Sequence, residues 1–169
     1  MNPSTRAVVF SVGFNDYWPG SVMASGTGYD AGRIRDNYVN NMKAAVTKVR
    51  AVAPHAKIIM PGMLSITESY GAQMLCPVNV IPNVPAGIPL PPLQQVETSL
   101  RNNQRDAARE VGAHFIDIKE MSKYHSTCAK DSQRWVAGLV DTTTPDYNMA
   151  FHPSWTGSRF VADQVARAL

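Results

Sequence analysis

The sequence predicts an α/β fold: a parallel sheet between two layers of helices, folded as a single domain over residues 1–169. Three observations carry this reading. Short apolar runs alternate with amphipathic stretches of about 15 to 20 residues, the signature of right-handed βαβ units. The first apolar run is continuous rather than alternating, as in a strand buried on both faces. Repeats and low-complexity tracts are absent.

Ala7 to Val12 is the first expected strand, ending at Gly13. Residues 14–32 are rich in Gly, Ser, Asn and Asp and read as a loop. Ile34, Tyr38, Met42, Ala45, Val46, Val49 and Val52 then fall on one face of a helix, with Pro54 just past its end. Lys57 to Met63 is a second strand that Pro61 should terminate, because proline cannot donate to a sheet ladder. Six prolines between residues 64 and 92 (Pro77, Pro82, Pro85, Pro89, Pro91 and Pro92) mark a long irregular segment, functional or anchored. Leu93, Val96, Leu100, Ala107, Ala108 and Val111 trace a second amphipathic helix that Gly112 closes. Ala113 to Ile118 is the third strand. A last loop leads to His152, Pro153 takes a helix N1 position, and the final helix carries Phe160, Val161, Val165 and Ala168 on its apolar face.

Composition narrows the function classes. The net charge is +3 with a pI near 9.0, but the basic residues are dispersed and have no aromatic platform between them. Nucleic acid is therefore not an expected partner. No stretch has the ~18 to 20 apolar residues of a membrane span, and Met1 to Arg6 lacks a signal-peptide layout. Cys76 and Cys128 are not spaced as metal ligands, and no metal or cofactor is expected. The two cysteines form either one disulfide or two buried thiols. Their polar, Pro-rich surroundings favour the disulfide, and with it an oxidising compartment and a secreted parent protein.

Two motifs lie where reactive groups gather in such folds, beyond the carboxyl ends of parallel strands. In Gly13-Phe14-Asn15-Asp16, Gly13 permits a sharp exit and the Asn15 amide can donate to the oxygen of a tetrahedral intermediate, typically worth ~3 to 4 kcal/mol. Taken alone, the motif is also an ordinary turn. In His152-Pro153-Ser154-Trp155-Thr156-Gly157, at the start of the last helix, an imidazole can serve as general base; alone, it is also a histidine ending a loop. Phe14 and Trp18 are candidate cleft residues. His55, His114 and His125 are read as structural or solvated.

Taken together and in this order, the two motifs resemble those of the SGNH (GDSL-lipase-like) hydrolases, in which four sequence blocks supply serine, glycine, asparagine and histidine. The resemblance covers nearly the whole chain and implies a flavodoxin-like fold, with Asn15 in the oxyanion hole and His152 as catalytic base. Trp135 to Val140, preceded by Cys128, looks like the loop before the catalytic histidine in secreted actinobacterial members. Cys76-Pro77 looks like the place of the partner cysteine. By the same resemblance, the main-chain carbonyl of Trp135 orients His152 through its Nδ1–H.

The sequence departs from the family pattern in three places. No Gly-Asp-Ser-like block precedes Asn15, and Ser4 and Ser11 are poor substitutes, so the nucleophile is unknown. Met149 stands where the family often has an aspartate, with Asp146 further away. Phe14 occupies a position where a second glycine is common. The chain is thus expected to be the C-terminal two-thirds of the family fold, truncated at its N-terminus.

The implied function is carboxylic ester hydrolysis through a serine acyl-enzyme, on a small-molecule, lipid or sugar ester, with the serine in an upstream segment. The chain by itself is expected to be inactive. The competing reading is a non-catalytic α/β binding module, which could self-associate through an open sheet edge at Ala7 to Val12.

Overall fold

The computed structural model describes residues 1–13 and 30–169. In chain order the elements are β1 (Ala7–Val9), α1 (Ala31–Val52), β2 (Lys57–Pro61), β3 (Met74–Ile81), β4 (Val84–Pro89), α2 (Pro91–Val111), β5 (His114–Ile116), α3 (Ile118–Met121), a 3-10 turn (Asp131–Gln133), β6 (Val140–Asp141) and α4 (Trp155–Ala168). They pack as two units. One comprises Met1–Gly62, Ser99–Asp117 and Arg167–Leu169; the other comprises Met63–Thr98 and Ile118–Ala166.

The first unit holds the expected parallel sheet, in the order β1-β2-β5. Val8 pairs with Ile58, and Met60 with Phe115. One sheet face therefore presents Val8, Phe10, Ile58, Met60 and Phe115, since side chains two apart along a strand share a face. Tyr38, Val39, Met42, Val46 and Val49 of α1 bury against this face, together with Ala107, Ala108 and Val111 of α2. The 3.6-residue spacing read from the sequence thus lands on the core. Asp30 opens α1 by accepting the Arg33 N–H at 3.0 Å. Gly112, at φ +65°, closes α2.

The first strand differs from its expected length and burial. β1 covers three residues rather than six and, among the described residues, pairs only with β2. Val9 and Val12 are 43% and 51% exposed. A continuous apolar run suits an edge strand as well as a central one, because burial is set by the neighbours the strand acquires.

The second unit corrects the reading of residues 64–92. They do not stay irregular: β3 and β4 form an antiparallel hairpin, with Leu75 opposite Ile88, Val78 opposite Ala86 and Ile81 opposite Val84. The ladder shifts register between Leu75 and Val78, and again between Val78 and Ile81. The first shift spans Pro77, where no N–H is available to the ladder. β6 adds to β3 in parallel, pairing Val140 with Val78 and Asp141 with Asn79. The expected disulfide is present: Cys76 on β3 bonds to Cys128, with Cα atoms 5.0 Å apart.

The start of α4 needs a second correction. Pro153 lies one residue before the cap rather than inside the first turn. Ser154 is the cap, its Oγ accepting the Gly157 N–H at 3.2 Å, and Pro153 instead pairs with Val136 in an isolated antiparallel bridge. A serine hydroxyl can satisfy an unpaired helix N–H, which proline cannot do. Phe160, Val161, Val165 and Ala168 are half-buried along α4, on the stripe expected.

Candidate active site

Of the first motif the structure places Gly13; Phe14, Asn15 and Trp18 lie outside the described residues. Gly13 has φ +122°. A Cβ there would lie 2.6 Å from Tyr38 Cε2 and 3.2 Å from Leu100 Cδ1. Both the left-handed backbone and the close approach of two helices require glycine at this exit.

The second motif is held by backbone pairing. Trp135 to Ala137 runs antiparallel to Phe151 to Ser154. Ala137 donates its N–H to the His152 carbonyl at 3.1 Å, Phe151 donates to the Ala137 carbonyl at 3.1 Å, and Ser154 donates to the Trp135 carbonyl at 2.8 Å. This bears on the orienting carbonyl. The Trp135 carbonyl accepts the Ser154 N–H, while the imidazole Nδ1 of His152 lies 2.8 Å from the carbonyl of Ala150. The Trp135 oxygen is engaged by the ladder, and a turn brings the Ala150 carbonyl under the His152 ring. A carbonyl only accepts, so Nδ1 carries the proton in the neutral ring and Nε2 keeps its lone pair. The His152 side chain is exposed.

Trp135 contributes packing as well as backbone. Its ring stacks on His125 at 3.6 Å between centroids and meets Phe160 of α4 at 4.4 Å. His125 Nδ1 lies 2.7 Å from the Gln133 carbonyl, which agrees with a structural reading of that histidine. A Cβ on Gly157 would lie 2.4 Å from the Trp135 carbonyl oxygen and 2.9 Å from Leu64 Cδ1. The first turn of α4 can approach the tryptophan strand only with glycine at that point.

A family model, the GDSL-like lipase/acylhydrolase family, matches residues 1–160. The chain belongs to this family. It is 29% identical over 151 residues to Lipase 2 of Streptomyces coelicolor, a match covering 85% of the chain and 46% of that protein. The chain therefore spans less than half the length of this curated relative. Among solved structures it is similar to phospholipase A1 from Streptomyces albidoflavus, with TM-score 0.66 at 17% identity over 99% of this chain and 70% of that one. It is also similar to the extracellular lipase of Streptomyces rimosus, with TM-score 0.61 at 14% identity over 96% of this chain and 70% of that one. These structural likenesses support the SGNH-type α/β fold.

In this member of the GDSL-like family, the loop leading to His152 is anchored by charges that sequence reasoning did not single out. Arg134 is fully buried and donates to the Ala129 carbonyl (3.1 Å), Thr143 Oγ1 (2.9 Å), Thr144 Oγ1 (3.0 Å) and Asp131 Oδ1 (3.0 Å). Its Nη1 lies 3.7 Å from Asp141 Oδ1. Asp141 accepts the N–H groups of Gly138 (2.8 Å), Thr143 (3.1 Å) and Thr144 (2.8 Å), and the Thr144 hydroxyl at 2.7 Å. Burial alone would raise the Asp141 pKa. The Gly138 amide and the Thr144 hydroxyl and amide outweigh it and hold the carboxylate below its ordinary range.

A second buried pair joins Lys119 Nζ to Glu97 Oε2 at 2.9 Å. The Thr67 amide donates to the other Glu97 oxygen at 2.9 Å, and Lys119 also reaches the hydroxyls of Ser65 and Ser69 at 3.2 Å. Burial raises the Glu97 pKa despite this company. Neither Arg134 with Asp141 nor Lys119 with Glu97 follows a helical or strand spacing, so no local periodicity announces them.

Proposed function

We propose that this chain carries the general base and one oxyanion donor of a serine ester hydrolase. The nucleophilic serine is supplied by chain that precedes residue 1 in the longer protein. The observation that carries this reading is the Nδ1 contact of His152 with the Ala150 carbonyl, which leaves Nε2 as the free basic nitrogen on an exposed ring. Membership of a lipase/acylhydrolase family supports the reaction class.

In the first step Nε2 takes the serine proton as Oγ bonds to the ester carbonyl carbon. The amide of Asn15 donates to the oxygen that becomes negative. The intermediate collapses, the alkoxide leaves with the proton held on His152, and the acyl group stays on the serine. Water, deprotonated by the same nitrogen, then releases the acid. The substrate is a carboxylic ester, and Gly13, Phe14 and Trp18 belong to the wall of its cleft. The Cys76–Cys128 disulfide supports an extracellular setting, the compartment named for the lipase of S. rimosus.

The longer protein, or this chain rejoined to a serine-bearing upstream segment, should hydrolyse a p-nitrophenyl acyl ester. His152→Ala should lower kcat by about 10³-fold or more without unfolding the protein. Full activity in that variant would refute the assignment.

A binding-module reading draws on a different observation, the exposed edge at β1. It requires the 169-residue chain to bind a partner or self-associate with no ester turnover in any length of the protein.

A further inference from the structure

His152 follows a strained turn. Phe151, the residue before it, sits at φ +57°, the left-handed region that a bulky side chain rarely adopts. With Phe151 in that conformation, the Ala150 carbonyl lies 2.8 Å from the imidazole Nδ1 of His152. Strain of this kind persists only where the surroundings hold it. The holding residue is Ala137, which is fully buried: its carbonyl accepts the Phe151 N–H and its own N–H donates to the His152 carbonyl, both at 3.1 Å.

Ala137 is fixed in turn through its neighbour. The Gly138 N–H donates to Asp141 Oδ2 at 2.8 Å. A Cβ on Gly138 would lie 2.8 Å from both Asn79 Nδ2 and the Pro77 carbonyl oxygen, so the strand is pressed directly against β3. Asn79 lies opposite Asp141 where β3 pairs with β6. Its Nδ2 donates to the same Asp141 Oδ2 at 3.2 Å, to the Cys76 carbonyl at 3.3 Å and to the Thr127 carbonyl at 3.2 Å. Three oxygens meet at one nitrogen, and only a donor fits there. Asn79 is fully buried, and its Oδ1 has no hydrogen-bond partner among the described residues. A side chain that only filled this space would be apolar, because burying an unpaired amide oxygen is unfavourable.

We infer that Asn79 is a positioning residue for His152: it ties the Asp141 carboxylate to the main chain beside the Cys76–Cys128 disulfide, so that Gly138 and Ala137 hold Phe151 in its left-handed turn and the Ala150 carbonyl under the ring. This inference rests on the proposed ester hydrolysis and extends it to a buried side chain two strands away from the base.

The first test uses the 169-residue chain and NMR of the His152 ring nitrogens, which reads the tautomer directly. The parent should carry its proton on Nδ1. In Asn79→Leu, which has a similar shape and no donor, the signals should move toward protonation on Nε2. A role in stability alone would lower the urea midpoint and leave the ring signals of the folded protein unmoved; that result would overturn the positioning role. Glycine takes the left-handed conformation without a steric penalty, so adding Phe151→Gly to Asn79→Leu should return the signals toward Nδ1. If Asn79→Leu does not fold, Asn79→Thr, which keeps one donor and suits a strand, carries the same measurement with a smaller shift.

In the serine-bearing protein, Asn79→Leu should lower kcat on a p-nitrophenyl ester about 10- to 100-fold, the scale of a small misplacement of a catalytic group, and change KM by less than about 2-fold. Where His152→Ala abolishes turnover, an unchanged kcat in Asn79→Leu would also overturn the positioning role. Failure of the underlying reading is distinct: His152→Ala would then leave turnover intact while the His152 ring nitrogens still respond to Asn79→Leu, upholding the placement of the ring and refuting only its part as base.

Discussion

Asp141 shows how a single side chain can hold a functional loop. Three N–H groups and a hydroxyl converge on its buried carboxylate, and Arg134 stands beside it without exposed surface. Asp141→Asn keeps the shape but removes the charge facing Arg134, and should cost about 3 kcal/mol in urea unfolding. The depressed pKa adds a pH signature. Because the folded carboxylate titrates below the unfolded one, near 3.9, its contribution is complete above that value and is lost as pH falls through the folded pKa. Stability measured from pH 5 downward should therefore fall more steeply in the parent chain than in Asp141→Asn. Gly157 makes a steric counterpart. Alanine there would press on the Trp135 carbonyl and should cost about 2 kcal/mol by overpacking, detectable as a lower urea midpoint. Gly157 was visible in the sequence only as part of the motif after His152 that resembles the family's. The importance of Asp141 was not legible, since Asn79 comes from another strand and Arg134 meets it at no periodic spacing.

Among the elements, legibility followed periodicity. α1, α2 and α4 each carry an apolar stripe with helical spacing, and the structure buries or half-buries nearly all of it; Val52, at the end of α1, is exposed. The hairpin of β3 and β4 escaped because Pro77, Pro82, Pro85 and Pro89 interrupt any strand pattern, and its two register shifts absorb what proline cannot donate. Cross-links hold this element where a plain ladder would be weak: Cys76 gives its N–H to Thr127 Oγ1 at 3.1 Å and its sulfur to Cys128. Closing a loop between cysteines 52 residues apart should be worth about 4 kcal/mol in the chain-entropy model. Reduction with dithiothreitol should lower the unfolding free energy by that order, and the hairpin amides should be the first to lose protection from exchange. Equal stability of the oxidised and reduced proteins would refute this.

At the scale of the whole molecule, β1 stands at the end of the first unit's sheet among the described residues. β1 has hydrogen-bonded neighbours on one side, and Val9 projects 43% of its surface into solvent. Unpaired edges of this kind invite strand addition. The 169-residue chain is therefore expected to self-associate, and Val9→Lys should shift it toward monomer in sedimentation velocity; a monomer at every concentration before substitution would remove this expectation. By itself the sequence determined the α/β class, the alternation of strand and helix and the family motifs, because each is written in local spacing or in residues adjacent along the chain. Only the tertiary structure decided that the Ala150 carbonyl lies under the His152 ring, that β1 shortens to Ala7–Val9, and that Lys119 finds Glu97. Those outcomes depend on which groups come within about 3 Å of one another. Distances of that kind are set by how the chain turns and packs, which periodicity does not record.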